Sequence, residues 1–222
     1  MSGNLYIVST PIGNLGDITL RAVATLKEVS YIYCEDSRVT KKLLNHFHIT
    51  TLTKIFHQHS GRSVYNEILE ILKNEKNVAI VSDAGTPGIS DPGSQLVEFI
   101  QKQDNLIKVV PVPGVSAVVT ALSVSGFPVD KFLFLGFPPN KNKRKKYFED
   151  VANSKYTVVF YESCHRIEKA IIELSEILDV NTEIFIGREL TKKFESFYKG
   201  KIKDIMGMNI PTKGEFVIII KT

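Results

Sequence analysis

The chain has 222 residues, of which 43% are hydrophobic and 23% charged, with a formal charge of +4. That balance suits a globular protein with a buried core and excludes a disordered polyelectrolyte. The longest apolar run, Phe216 to Ile220, is far too short to span a bilayer, so no membrane partner is expected.

From the N-terminus, short apolar strands are expected at Leu5–Val8, Tyr31–Glu35, Leu52–Phe56, Val78–Ser82 and Lys108–Val112. Amphipathic helices are expected between them, near Leu20–Glu28, Thr40–Phe47, Arg62–Lys73 and Gly93–Gln103. Strand and helix in alternation argue for an α/β domain on a mostly parallel sheet. Pro111-Val112-Pro113-Gly114 breaks the pattern as a turn or hinge. A small-residue helix, Val115–Ser125, follows it. Later strands are expected at Phe132–Leu135, Thr157–Tyr161, Glu183–Ile186, Glu195–Tyr198 and Glu215–Ile220, with helices at Lys143–Ala152 and Arg166–Leu178. The run of strands near the end predicts a mixed second sheet. The reading is therefore two α/β domains, 1–113 and 114–222.

Three loops stand out chemically. Residues 9–17, STPIGNLGD, leave the first strand, and glycines there let backbone approach a ligand at the strand ends where open α/β sheets bind. Residues 83–93, DAGTPGISDPG, hold three glycines, two prolines and two aspartates, a specialisation more often functional than connecting. Residues 113–117, PGVSA, open a helix whose first N–H groups are free to meet a polar ligand or to be capped locally. Neither a P-loop nor a GxGxxG spacing is present.

Charge gathers in three places: Glu35-Asp36-Ser37-Arg38 with Lys41 and Lys42, five basic residues across 141–146, and Arg188-Glu189 with Lys192 and Lys193. Each reads either as a solvated surface or as phosphate-contacting. His57 and His59 would share a face on a strand, but no third ligand lies near, so no metal is expected. Cys34 and Cys164 match no zinc or redox spacing, and residues 4–9 lack the basic start and long apolar core of a secretory leader. Both point to a reducing cytoplasm.

Read together, TPIGNLGDITLR (10–21), EDSR (35–38), SDAGTPGISDPG (82–93), PVPGVSA (111–117), FYESCHR (160–166), GRELTK (187–192) and KGEF (213–216) resemble the tetrapyrrole-methylase superfamily. Within it they resemble the ribosomal RNA small-subunit methyltransferase I family. The resemblance spans almost the whole chain, in the family's order. Cys164 stands where the family commonly has proline, and Ser37 where it has threonine.

The resemblance implies two α/β domains with the methyl donor, S-adenosylmethionine, held in the trough between them. It implies a homodimer acting on small-subunit ribosomal RNA, with methylation of a cytidine ribose 2′-oxygen. Carried over by motif, the donor-contacting positions are Pro11, Ile12, Gly13, Thr86, Pro87, Ile89, Ser116 and Ala117, with Tyr161 and Arg188 on later strands. Glu35 and Asp36 are the candidate bases, with His57 behind them, and Arg38 or Lys42 is a candidate either to hold the neighbouring phosphate or to lower the pKa of the attacking oxygen. Lys143, Arg144, Lys145 and Lys146 are the candidate RNA contacts. The competing expectations are a superfamily enzyme acting on a tetrapyrrole carbon or on a modified histidine of an elongation factor, and a non-catalytic RNA-binding protein of the same fold.

Overall fold

The structure is a computed structural model that describes residues 2–221. The chain divides into two compact units, the first ending at Ser116 and the second beginning at Ala117.

In the first unit, β1 (Leu5–Val8), β2 (Tyr31–Cys34), β3 (Leu52–Ile55), β4 (Val78–Ile80) and β5 (Val109–Val112) form one sheet in the order β3-β2-β4-β1-β5. Every pairing is parallel. Successive side chains on a strand point to opposite faces, so both faces need a cover. Helices α1 (Leu20–Glu28) and α2 (Ser37–His46) supply Ala22, Leu26 and Leu44 to the face carrying Val8, Ile32, Cys34 and Ala79. Helices α3 (Arg62–Lys73) and α4 (Ser94–Gln103) supply Ile68, Leu72, Leu96 and Ile100 to the face carrying Leu5, Tyr33, Val78 and Ile80.

The sheet order makes β1 and β4 neighbours, although the chain leaves them in opposite directions. From β1 it runs through α1 to β2, and from β4 through α4 to β5 on the other side. Such a reversal opens a crevice beyond the carboxyl ends of the strands, and this is where α/β sheets hold ligands. The loops after β1 and β4 are two of the three glycine-bearing loops.

The second unit opens with α5 (Ala117–Ser125). Its sheet has the order β6-β7-β10-β8-β9, from β6 (Phe132–Phe134), β7 (Thr157–Ser163), β8 (Glu183–Arg188), β9 (Ser196–Lys201) and β10 (Glu215–Ile220). Only β6 and β7 pair in parallel, so this sheet is mixed. Helices α6 (Arg144–Ala152), α7 (Ile167–Ile177) and α8 (Ile202–Ile205) cover one face through Phe148, Val151, Ile171, Leu174 and Ile202.

Differences from the sequence reading have local causes. Helix α2 starts at Ser37, not Thr40, because the Asp36 carboxylate caps it and accepts from the Arg38 N–H at 2.8 Å. Strand β7 continues to Ser163 because β10 pairs with it in register to Glu215. A 3-10 turn at Leu15–Asp17 and the single turn α8 carry too few residues to show a periodicity. His57 and His59 lie beyond the end of β3, so they do not share a strand face.

Candidate active site

The three loops of the first unit meet. Thr10 and Gly85 exchange backbone hydrogen bonds, Thr10 N–H to Gly85 C=O at 2.9 Å and Gly85 N–H to Thr10 C=O at 3.0 Å. Gly85 holds φ +83°, a left-handed conformation that costs little without a Cβ. The Ser9 and Thr86 hydroxyls lie 2.9 Å apart, and the Thr10 hydroxyl donates to the Ser82 carbonyl at 3.0 Å. The third loop joins through Ser9, whose N–H donates to Val112 C=O at 3.1 Å. A Cβ on Gly114 would stand 2.8 Å from the Ser9 Cβ, closer than two carbons tolerate.

These contacts make a rigid rim. Pro11, Ile12, Gly85 and Pro87 are buried inside it, whereas Gly13, Ile89 and Gly114 are exposed along its edge. Thr86 and Ser116 are half-buried. The exposed set offers glycine backbone and one aliphatic side chain, groups that can hydrogen-bond a nucleoside through main-chain atoms and pack against its base. An S-adenosyl group fits that chemistry.

A carboxylate group borders the rim. Glu35 follows β2, Asp83 follows β4, and Asp91 lies farther along the same loop. The Asp36 N–H donates to Asp83 Oδ1 at 3.1 Å, tying the two loops together. Burial raises the Glu35 pKa above the ordinary carboxylate range, and repulsion from Asp83 adds to it, against the opposing pull of an Asp83 backbone hydrogen bond and of His57. Asp91 is pushed up to about 6, first by burial and then by Glu35. Asp36 behaves oppositely. Its oxygens take Arg38 Nη2 at 2.6 Å and Nε at 3.1 Å, and these bonds hold its pKa down at about 2.

The structure thus gives the two candidate bases different surroundings. Glu35 is half-buried beside other carboxylates, whereas Asp36 is chelated by Arg38 and serves as a helix cap. The residues that sequence reasoning passed over are Asp83, Asp91, Ser9 and Ser82. Both aspartates lay inside the loop singled out as functional. Their proximity to Glu35 depends on β2 and β4 being neighbours, and no local pattern encodes that. Among the described residues no group of three or more His, Cys, Asp or Glu side chains is disposed to hold a metal ion.

The sequence model for the tetrapyrrole (corrin/porphyrin) methylases matches residues 4–206. The ribosomal RNA small subunit methyltransferase I of Halalkalibacterium halodurans is 43% identical, covering 99% of this chain and 76% of its own length. Its counterpart from Mycoplasmopsis pulmonis is 42% identical, covering 97% of this chain and 96% of its own. The chain belongs to the ribosomal RNA small subunit methyltransferase I family. Among solved structures, the methyltransferase CobJ superposes with a TM-score of 0.73 at 17% identity over 100% of this chain and 95% of its own. Diphthine synthase superposes with 0.71 at 10% over 99% and 90%. At those identities the likeness shows a shared fold alone.

The methyltransferase I motifs of the second unit are largely engaged in bracing. Glu162 of FYESCHR is buried and receives Arg144 Nη2 at 3.1 Å and Arg166 Nε at 3.0 Å. Arg144 also donates to Glu173 at 2.8 Å and to the Pro139 carbonyl at 3.2 Å. Arg144 was expected among the RNA contacts; with its guanidinium committed inside the unit and 3% of the residue exposed, it has nothing to offer a phosphate. Lys143, Lys145, Lys146 and, in the first unit, Lys42 are exposed.

In GRELTK, Glu189 accepts from Lys192 Nζ at 2.9 Å and from the Glu215 N–H at 3.0 Å. Arg188 donates to the carbonyls of Lys213 at 2.6 Å and Phe194 at 3.1 Å. The Tyr161 ring stands edge-on to Phe134, 5.0 Å between centroids, and tilted against Phe137 at 5.2 Å. Ala117 is the first residue of α5.

Proposed function

We propose that this chain transfers the methyl group of S-adenosylmethionine to the ribose 2′-oxygen of a cytidine in small-subunit ribosomal RNA. It works as a homodimer on the 30S subunit in the cytoplasm. The observation that carries the reading is the convergence of three glycine-bearing loops beside a raised-pKa carboxylate, in a chain more than 40% identical to methyltransferases so named.

S-adenosylmethionine, when bound, supplies a methyl group already activated by its sulfonium sulfur. A ribose hydroxyl is a weak nucleophile, so the protein must align it and remove its proton. Alignment lowers the barrier by about 7–11 kcal/mol in favourable cases, and a positioned base adds roughly 10²–10⁴-fold. Glu35 is the base of choice. Its carboxylate is partly desolvated and so more basic than a free one, whereas Asp36 is tied to Arg38. The rim residues Pro11, Ile12, Gly13, Thr86, Pro87, Ile89 and Ser116 hold the donor through backbone and apolar contact. Lys42, Lys143, Lys145 and Lys146 meet phosphates. Sulfonium charge disappears on transfer, so backbone carbonyls suffice to bind it and no carboxylate has to be spent on it.

The test is mass-spectrometric mapping of methyl groups on 30S subunits after incubation with protein and S-adenosylmethionine. One new 2′-O-methylcytidine is expected. Incorporation into a porphyrinoid or an elongation factor instead, with 30S subunits unmodified, overturns the RNA reading. Failure to bind S-adenosylmethionine in a calorimetric titration overturns catalysis altogether.

A further inference from the structure

The family reading uses the lysines at the start of α6 but leaves the opposite edge of the second sheet without a task. There, residues 192–203 hold five lysines and three aromatic rings against one carboxylate, Glu195. Strand β9 is the sheet edge, paired only to β8, with Phe197 opposite Gly187, Lys199 opposite Phe185 and Lys201 opposite Glu183. Residues two apart share a face, so Phe197, Lys199 and Lys201 project together. Tyr198, of opposite parity, packs into the helix-covered core, and the other three therefore lie on the face away from α6, α7 and α8.

Phe197 is 47% exposed although its ring leans on Phe185 at 5.6 Å. Phe194, in the turn before β9, is 65% exposed. The backbone of that turn is nonetheless anchored, because Phe194 C=O accepts from Arg188 and the Thr191 N–H donates to Glu195 Oε1 at 2.6 Å. Lys193 lies 5.7 Å from the Phe194 ring centre, and Lys199 lies 4.7 Å from that of Phe127.

Lysines on an edge strand have a plain use, the prevention of sheet-to-sheet association. That use accounts for Lys199 and Lys201 but not for the exposed Phe197 on their face or the exposed Phe194 in the turn before the strand. A second copy of this chain is a poor occupant, since it would bring the same net positive charge of residues 192–203 to the edge. Positive charge interleaved with open aromatic rings is instead complementary to single-stranded polynucleotide. Phosphates meet ammonium groups, and unpaired bases stack on rings.

We infer that Phe194, Phe197, Lys193, Lys199 and Lys201 form a stacking platform for unpaired RNA flanking the target nucleotide. The inference rests on the ribosomal RNA reading above and deepens it. β6, whose following loop leads to the α6 lysines, is the opposite edge of the five-stranded sheet, about 19 Å from β9 at ~4.8 Å per strand step. Platform and α6 lysines would thus engage different nucleotides.

The experiment measures binding of a fluorescein-labelled 12-nucleotide single-stranded oligoribonucleotide, and of its duplex, to the full chain. In Phe194→Ala/Phe197→Ala, single-strand affinity is expected to fall about tenfold or more, with duplex and S-adenosylmethionine affinities within about twofold of the parent. Lys199→Ala/Lys201→Ala should flatten the salt dependence by about 0.7 in log–log slope for each phosphate no longer neutralised. Phe197→Tyr should bind as the parent does. Phe194→Ala alone keeps the test decisive if the double variant melts early, since the Phe194 ring is the more exposed. Unchanged single-strand affinity in the phenylalanine variants overturns the platform. So does a change of sedimentation state without a change in oligonucleotide binding, which would mark a protein contact. Methylation of 30S subunits by the parent chain is scored separately. A parent that methylates while the variants bind normally defeats the platform alone. A parent that does not methylate while the variants lose binding defeats only the rRNA reading.

Discussion

Glu35 and Asp36 are adjacent, and each is a carboxylate at the end of a buried strand, yet their surroundings act on them in opposite directions. Arg38 folds back on Asp36 and keeps it ionised as a cap, whereas burial and Asp83 make Glu35 more basic. Glu35→Gln should cut the single-turnover rate at saturating donor by about 10²-fold or more. Asp36→Asn should keep most of that rate while α2 loses stability from its cap. Rapid-quench measurement of both variants decides, and a Glu35→Gln enzyme at full rate removes the carboxylate base.

Asp91 gives a stability prediction. Its folded pKa, about 6, exceeds the ordinary 3.8, so the native state holds this proton more tightly than the unfolded chain does. The stabilising contribution is therefore complete below pH 3.8 and lost as pH rises through about 6. The side chain is only half-buried, and solvent screening reduces the nominal shift to about 1 kcal/mol. Asp91→Asn should raise the melting temperature at pH 7.5 and leave it unchanged at pH 3.5.

At the scale of elements, the rim depends on close backbone approach. Gly114 has no room for a methyl group against Ser9, and the loops on either side of that contact are among those proposed to hold the donor. Gly114→Ala should leave the circular dichroism spectrum of the folded chain intact while weakening S-adenosylmethionine binding by about tenfold or more, as read by calorimetry. A variant that binds normally would show that the third loop adjusts and that its tight fit is not needed.

Across the whole molecule, the basic run 141–146 divides into two roles. Arg144 turns inward to Glu162 and Glu173, and Lys143, Lys145 and Lys146 turn outward. Glu162 keeps Arg166 when Arg144 is removed but loses one of its two cations, so Arg144→Ala should lose about 1.5–3 kcal/mol in denaturant unfolding, less than for a fully stranded buried charge. Reversing the charge of the three lysines should barely change stability. It should weaken RNA binding and lower its salt slope, with donor affinity preserved. Equal loss of RNA and donor binding in the lysine variant would instead mark a folding defect.

How much the sequence carries by itself follows from which physical cues are local. Strand alternation, helix amphipathicity and turn chemistry act over a few residues, so the α/β order, the parallel first sheet and the mixed second one were legible, as were the glycine-bearing loops. The family motifs added the chemistry. Tertiary structure alone decided which charged groups face one another. Asp83 meets Asp36 only because β2 and β4 pair across 47 positions of chain, and Arg144 turns inward only because Glu162 arrives on β7. A basic run looks the same in sequence whether its members meet water, phosphate or a buried carboxylate. Burial separates those cases, and burial is set by contacts far apart along the chain.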